Sequence, residues 1–423
     1  MTSQQRLIST GLFCTVSLVM AVTVSARGAS VEVPDPSIML PLVPAARQAA
    51  APPVIKPGTR LTYFGMTASI PGSYKQLVQD DNGKWVDKTT GQRYGEQDIP
   101  SASGAGYNVI QIGCVADGIA QLSTKLYTLD TSSNRYFFSV SGGLVGHAGC
   151  TADYWIHPDV LKQVQQMNTP DVKILRMPYT VSGKTYNAIR FQTENSSGYN
   201  ARVYDLETGL LIYYGSRTQG APVYTPPIGN SGMAGVGQGS TQLVSGWIAE
   251  IKQIDIPWKD AEPPQWVGRI NQLSYSGMQT SVVPAAGSRL DRPMSATLTP
   301  KARGRDWMRF TNHAVIQSIQ GMPPEQAQSE GASGSASIGG IWIPPQALRN
   351  LRTQQIIERH DLVGTTTLVS SAGGGYVTLT ETGPLHRLDW TYETTTGMLS
   401  GLILTQQIGL AQITHTLRLS GQQ

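Results

Sequence analysis

Short runs of strand-forming residues, separated by turn residues, set the pattern of hydrophobic and polar positions along most of this chain. Residues 184–192 are rich in such side chains, residues 201–205 follow a glycine-containing break, and residues 210–214 form a short apolar run. The turn between the last two runs ends in Gly209, and glycine adopts positive φ at little steric cost. This succession predicts a β-hairpin.

Four short motifs recur in the same order in the two halves of the chain. They are Leu-x-Tyr-x-Gly-Met, Trp-Ile-x-Pro-x-x-Leu, Tyr-x-x-x-Thr-Gly-x-Leu, and a short apolar strand. Their offsets are 212, 187, 188 and 162 residues, which predicts two insertions of about 25 residues each in the first copy. The first copies occupy residues 61–66, 155–161, 204–211 and 248–251, and the second copies occupy residues 273–278, 342–348, 392–399 and 410–413.

Residues within the first three motifs are expected to determine the fold rather than to contact a ligand. Each tryptophan precedes a helix start, where a large aromatic side chain would pack the helix onto the sheet. Stacking of these tryptophans on a ligand is the alternative. The repeated residues are Tyr63, Gly65, Trp155, Pro158, Tyr204 and Gly209 in the first copy, and Tyr275, Gly277, Trp342, Pro345, Tyr392 and Gly397 in the second.

One short helix is predicted in each unit, directly after the Trp-Ile-x-Pro motif. Pro158 and Pro345 fall in the first helical turn, where proline is tolerated, and apolar residues at helical spacing follow them. Because the strands do not alternate with helices, the sequence predicts an α+β, β-dominated fold. It would contain two tandem homologous units of antiparallel meander sheet, residues 57–257 and 266–423, joined by a linker at 258–265.

The N-terminal residues contain a predicted targeting segment and a predicted tether. Residues 1–26 have one cation, Arg6, then an apolar run and a small-residue end, as in a secretory signal peptide cleaved after Ala26. An uncleaved anchor is the alternative, because the run approaches the roughly 20 residues that span a bilayer. Residues 27–56 are rich in proline and alanine and predict a disordered tether. The protein is therefore expected to be periplasmic or secreted.

Composition excludes several classes of protein. Charged residues make up 14% of the 423 residues, against about 25% in an average soluble domain, and 45 glycines and 26 prolines argue against helical bundles. The net charge of +4 comes without a clustered basic face, so nucleic acid is not an expected partner. Six scattered histidines predict neither a metal site nor a cofactor. Contact with a membrane is expected only through an uncleaved N-terminal segment.

Cys114 and Cys150 are the only cysteines outside the predicted signal peptide. In an exported protein, two such residues are expected to form a disulfide, because the compartment is oxidising. The alternative is a reactive thiol at Cys150, close to His147 in the sequence. No framework that would activate such a nucleophile accompanies this pair, so the disulfide is the favoured interpretation.

Two local motifs are candidates for chemistry. Residues 229–232, Gly-Asn-Ser-Gly, resemble the turn around the nucleophile of chymotrypsin-like serine proteases, with His147 and Asp205 preceding Ser231 in the order of that triad. Nothing around His147 matches the histidine motif of those enzymes. Residues 80–87 contain oxygen ligands and a glycine, but their spacing departs from the EF-hand pattern, so a hairpin turn is favoured.

The leading hypothesis is an exported, non-enzymatic binding or structural protein of the cell envelope or extracellular space. Its expected partner is an envelope protein, a surface polymer or an apolar ligand. The alternatives are a periplasmic carrier of an apolar ligand and a serine hydrolase that uses Ser231. If the duplication is structural, residues 266–423 should fold alone, whereas two facing units would create a cleft suited to binding.

Overall fold

Strands dominate the computed structural model of the chain. It describes residues 43–70, 77–80, 84–88, 90–94, 102–130, 133–151, 154–195, 198–219, 241–318 and 323–423. Two large antiparallel sheets, one in each half of the chain, account for most of these residues. The predicted α+β, β-dominated fold with two tandem units is confirmed. No helix in these residues is long and apolar enough to cross a bilayer.

Strands of the first half form a small sheet and a twelve-stranded sheet, which we call sheet 1. The small sheet contains β2 (Leu77–Gln79), β3 (Trp85–Asp87) and β4 (Arg93–Tyr94). The strands of sheet 1 are β1 (Thr59–Ile70), β5 (Ala102–Ala116), β6 (Ile119–Asp130), β7 (Arg135–His147), β8 (Cys150–Thr151), β9 (Trp155–Ile156), β10 (Met167–Asn168), β11 (Val172–Val181), β12 (Lys184–Glu194), β13 (Gly198–Asp205), β14 (Leu211–Gln219) and β15 (Thr241–Gln253). Their spatial order is β10-β11-β12-β13-β14-β15-β1-β5-β6-β7-β8-β9.

Strands of the second half form a ten-stranded sheet, which we call sheet 2. They are β16 (Leu273–Val283), β17 (Ser288–Arg303), β18 (Trp307–Ile316), β19 (Glu325–Gly334), β20 (Ile356–His360), β21 (Thr365–Gly373), β22 (Tyr376–Thr382), β23 (His386–Glu393), β24 (Leu399–Ile408) and β25 (Ala411–Gln422). Their spatial order is β19-β18-β17-β16-β25-β24-β23-β22-β21-β20. Short 3₁₀ turns at Gln265–Gly268 and Pro284–Ala286 precede β16 and β17.

Both sheets share one connectivity. The first strand of each pairs with the last, β1 with β15 and β16 with β25, and neighbours in sequence otherwise pair as hairpins. This circular order is interrupted between β9 and β10 in sheet 1 and between β19 and β20 in sheet 2. The predicted helices, α2 (Pro158–Lys162) and α3 (Pro345–Leu348), follow at these interruptions, each with its proline in the first turn.

The insertions predicted in the first copy fall between paired strands of sheet 1. The small sheet β2–β4 occupies the first insertion, between β1 and β5, whereas the corresponding strands β16 and β17 are joined by a short turn. The second insertion includes residues 220–240, which lie outside the described residues.

The Trp-Ile and Thr-Gly motifs of each unit contact each other at the interruption of its sheet. Trp155 forms an isolated antiparallel bridge with Leu210, and Trp342 forms the corresponding bridge with Met398. The backbone N–H of the isoleucine after each tryptophan donates to the glycine carbonyl of the Thr-Gly turn, at 3.0 Å in the first unit and 2.9 Å in the second. In both units, the same two motifs are therefore joined by backbone contacts at the interruption of the strand order.

Other repeated residues surround the same contact. The Tyr63 hydroxyl donates to the Leu211 carbonyl at 2.9 Å, and the Tyr275 hydroxyl donates to the Leu399 carbonyl at 3.0 Å. Tyr204 and Tyr392 are fully buried on the strands that lead into the two turns. Gly65 and Gly277 follow the first tyrosines, where a Cβ would contact the Tyr214 hydroxyl and overlap the Thr416 carbonyl, respectively.

The fourth repeated motif is wrongly aligned by the sequence. Tyr63 pairs with Ile248, whereas the equivalent Tyr275 pairs with Leu419 rather than with a residue of 410–413. Ile248 is 2% exposed, but Leu410 lies at a turn and is 75% exposed. A run with a two-residue period fits a strand in several registers, so the similarity of these short segments did not determine their equivalence.

The predicted tether is partly folded. Its described part contains the helix α1 (Val43–Gln48), in which Ala46 is 1% exposed and packs with α2 and its neighbours. Ile55 is 3% exposed in the core of sheet 1. The predicted linker is also packed, since its first residue, Trp258, is fully buried in the core of sheet 2. Proline and alanine content predicted an extended chain because it gives no information about these distant contacts.

Replacement of Gly209 by alanine tests the contact between the two motifs. Gly209 has φ of 76°, and a Cβ there would overlap the Ile156 carbonyl oxygen. We expect Gly209→Ala to lower the free energy of unfolding by about 3 kcal/mol or more, because positive φ and overlap both contribute. Gly183 is a matched control, since its φ is 75° and its Cβ position is open. Gly183→Ala should lower the free energy of unfolding, measured in urea, by about 1–2 kcal/mol. Equal losses of this free energy in the two variants would contradict the close contact between Gly209 and Ile156.

Candidate ligand cavity between the two sheets

The two end strands of sheet 2, β19 and β20, lie against the outer face of sheet 1. Next to β19, the Ala336 N–H donates to the Gly113 carbonyl at 2.7 Å. A Cβ on Gly143 of β7 would lie 2.6 Å from the backbone nitrogen and oxygen of Ala332 in β19, so glycine permits this close approach. At the other end, the Arg60 guanidinium of β1 contacts Glu358 of β20. Sheet 1 therefore covers both unpaired ends of sheet 2.

Side chains of sheet 1 also complete the core of sheet 2. Val109, Tyr127 and Phe138 belong to the same buried cluster as the apolar side chains of sheet 2. The rings of Tyr127 and Phe138 each lie 5.7 Å from the ring of His386. The Gln406 side chain of β24 donates to the Phe138 carbonyl. This continuity argues against the prediction that residues 266–423 fold alone, because that fragment would expose its core.

A buried ion pair crosses this contact. Lys125 of β6 pairs with Glu381 of β22, which is 2% exposed. The Tyr127 hydroxyl donates to Glu381 Oε1 at 2.8 Å, and His386 Nε2 lies 3.1 Å from the same oxygen. Burial alone would raise the pKa of Glu381, but the Lys125 ammonium and the His386 contact outweigh it and hold that pKa well below its usual range. Glu381 is therefore a carboxylate at neutral pH.

A second polar cluster lies where β1 meets β20. The Arg60 guanidinium is buried between the carboxylates of Glu250 and Glu358. Thr62 Oγ1 lies 3.1 Å from Nε2 of His360. Burial, with the nearby charge of Arg60, lowers the pKa of His360 to about 3, so this imidazole is neutral at pH 7. The two sheets are thus joined by buried ion pairs and polar contacts as well as by apolar contacts.

A cavity of about 110 Å³ lies in the core of sheet 2, beside the strands of sheet 1 that cover it. Small residues leave this space: Ala296 of β17 and Ala314 of β18 face each other as a strand pair, and four glycines line the wall. The apolar and aromatic lining residues include Tyr275, Met294, Leu298, Phe310, Leu388, Trp390, Leu399, Leu402 and Leu417. The wall contributed by sheet 1 consists of Ser123, Thr124, Lys125, Ser141 and Gly142.

Lys125 is the charged residue among those that line the cavity in the described chain. Its Nζ lies 4.9 Å from the centroid of the Trp390 ring, which also lines the cavity. Its partner Glu381 does not line the cavity. The cavity therefore has a mostly apolar and aromatic interior, to which sheet 2 also adds Asn312 and Ser333, with one cation at the side formed by sheet 1.

The comparisons with known proteins leave the family of this chain open. No protein-family model and no curated protein sequence matches it. One similar solved structure is a protein of unknown function from the DUF3598 family of Nostoc punctiforme, at 7% identity and a TM-score of 0.14, covering 86% of this chain and 96% of that one. Another is a mutant of transferrin binding protein B from Haemophilus parasuis, at 7% identity and a TM-score of 0.12, covering 87% and 79%. Likeness at these scores carries no argument about fold or function.

The disulfide predicted between Cys114 and Cys150 is absent, and both residues are free thiols. Cys114 lies on β5 and Cys150 on β8, with β6 and β7 between them in sheet 1. Three strand spacings amount to roughly 14 Å, whereas the Cα atoms of a disulfide lie within about 7 Å. Burial raises the pKa of Cys114 to about 12 and also raises the pKa of Cys150, so neither thiol is activated as a nucleophile.

Of the repeated residues, Tyr275 lines the cavity, whereas the other sequence candidates within the described residues do not. Trp155 and Trp342 are fully buried and do not line it, as expected for residues that pack the core. Ser231 lies outside the described residues. Of the predicted calcium or turn segment, residues 81–83 are outside the description, and the flanking strands β2 and β3 pair as a hairpin.

Sequence reasoning missed the pair formed by Lys125 and Glu381. Glu381 carried a usable signal, because Val377, Leu379 and Glu381 occupy alternating positions on one buried face of β22. A carboxylate on such a face requires a buried partner. Its partner is 256 residues away in sequence, so no local pattern identified Lys125.

Removal of the Lys125 ammonium tests this pair. We expect Lys125→Met to lower the free energy of unfolding by about 3–5 kcal/mol, because it leaves the Glu381 carboxylate buried without its cation. The double variant Lys125→Met, Glu381→Gln should lose less than Lys125→Met alone, since glutamine keeps an oxygen that accepts from Tyr127. Lys301→Met, an exposed control, should change stability by less than about 0.5 kcal/mol. The free energies of unfolding are measured in guanidinium. If the losses caused by the Lys125 and Glu381 substitutions add up in the double variant, the energetic coupling between these two residues is refuted.

Proposed function

We propose that this protein binds a small apolar molecule in the cavity between the two sheets. The cavity itself, about 110 Å³ with a mostly apolar and aromatic lining, is the observation that supports this proposal. Water needs about 10–15 Å³ of such space and two to four polar partners to occupy a site stably. An apolar cavity of this size instead favours an apolar occupant.

The volume limits the size of the occupant. Engineered apolar cavities of about 150 Å³ bind benzene or xenon, so the space here suits a molecule of roughly six to eight non-hydrogen atoms. The aromatic side chains of Phe310 and Trp390 supply large apolar contact areas to such a molecule. A long acyl chain is not favoured, because the described space is too small for it.

Both sheets contribute residues to the cavity, and this arrangement supports a role of their interface in ligand binding. The wall formed by Ser123, Lys125 and Ser141 comes from sheet 1, whereas the interior comes from sheet 2. Sheet 2 adds mostly apolar side chains, together with the polar side chains of Asn312 and Ser333. A mostly apolar lining with a few polar groups is typical of sites that orient a small ligand. This proposal corresponds to the alternative, suggested by the sequence, of a carrier that binds an apolar ligand. Export remains a proposal supported by residues 1–26.

A cavity-filling substitution tests the proposal. Benzene or hexan-1-ol, at ten times its dissociation constant, should raise the free energy of unfolding of the wild-type protein by about 1.4 kcal/mol. Ala296→Leu places three extra carbon atoms in the cavity and should abolish this increase. Thr297→Leu adds a similar side chain on the opposite face of β17 and should retain it. The measurement is thermal unfolding with and without each compound.

Two outcomes would refute the proposal. One is a wild-type protein whose unfolding temperature does not change with either compound at concentrations near their solubility. The other is equal stabilisation of the wild-type protein and the Ala296→Leu variant, which would place the binding site elsewhere in the molecule.

A further inference from the structure

We infer that the cavity selects a small carboxylic acid, with its apolar part among the side chains of sheet 2 and its carboxylate on the Lys125 ammonium. This inference rests on the proposed function, and it names the chemical class of the ligand. It depends on the asymmetry of the buried ion pair: Lys125 lines the cavity, but Glu381 does not.

The position of the ammonium supports this assignment. Lys125 Nζ lies 4.9 Å from the centroid of the Trp390 ring, at the wall that sheet 1 contributes. An ammonium has three N–H donors, and its contact with Glu381 uses one direction. A ligand carboxylate beside Trp390 would accept a charge-assisted hydrogen bond, which is roughly twice as strong as a neutral one. The surrounding apolar side chains strengthen this interaction by excluding water.

Glu381 can share its cation with a ligand because two other groups stabilise its charge. The Tyr127 hydroxyl, 2.8 Å from Glu381 Oε1, and His386 Nε2, 3.1 Å from the same oxygen, approach it independently of Lys125. Burial raises the pKa of Tyr127 well above its usual value, so this phenol stays a donor at neutral pH. A ligand carboxylate therefore binds to an ammonium whose first partner retains other hydrogen bonds.

Cationic ligands, whose charge is opposite to that of a carboxylate, fit this cavity poorly. The cavity lining includes the aromatic rings of Tyr275, Phe310 and Trp390. The faces of such rings also attract organic cations. Lys125 already places its positive charge over Trp390, and a second cation would be repelled at that position. A neutral alcohol of the same length would fill the apolar space but would bring no charge to the ammonium.

Matched six-carbon compounds test this inference. Dissociation constants of hexanoate, hexan-1-ol and hexylammonium are measured by calorimetry on the full chain at pH 7. The wild-type protein should bind hexanoate about tenfold more tightly than hexan-1-ol, and hexylammonium more weakly than both. In the double variant Lys125→Met, Glu381→Gln, the preference for hexanoate over hexan-1-ol should fall by about tenfold. Lys301→Met, which removes an exposed cation of the second unit, should keep the preference.

The outcomes separate the two proposals. If hexan-1-ol binds the wild-type protein and hexanoate binds no more tightly, the inference is wrong and the apolar-binding function stands. Tighter binding of hexylammonium than of hexanoate would also overturn the inference. If none of the three compounds binds, the proposed function itself fails. A preference that persists in the double variant would show that Lys125 does not bind the carboxylate.

Discussion

The end strands of sheet 2 impose the constraint on which the arrangement of this protein depends. In its circular strand order, β19 and β20 are not paired with each other, so their edges and the core between them need a cover. Exposed strand edges and exposed apolar cores favour aggregation. Sheet 1 supplies the cover through Val109, Tyr127 and Phe138, together with the Lys125 ammonium that the buried Glu381 requires. Stability and the cavity wall therefore come from the same contact.

The duplication gives two units with one local design and two different roles. In each unit the Trp-Ile strand end is fastened to the Thr-Gly turn, and a tyrosine hydroxyl completes the contact. Beyond that contact the copies diverge. The first unit carries the additional small sheet and presents its outer face to the second unit, whereas the second contributes the interior of the cavity. The same repeated contact can thus stabilise both a unit that covers the other unit and a unit that encloses the cavity.

The sequence predicted what local patterns determine. The two short helices begin at Pro158 and Pro345 as expected, because a first-turn proline and the apolar spacing after it are properties of adjacent residues. Strand register and distant partners were beyond such patterns. The fourth repeated motif was misaligned because a two-residue period fits several registers, and the cysteines were paired without knowledge of the two strands between them. The cavity arises from small residues on paired strands and from Lys125 in the other unit, a combination that no single segment encodes.

Native-state hydrogen exchange of the full chain, followed by mass spectrometry in increasing denaturant, tests the central claim that sheet 1 completes sheet 2. The account predicts that peptides from β5–β7 and from β22–β24 lose protection together, with the same free energy and the same denaturant dependence, because their cores open as one unit. If the strands of sheet 2 stayed protected after β5–β7 had opened, the second unit would be stable without its cover. That result would contradict the account.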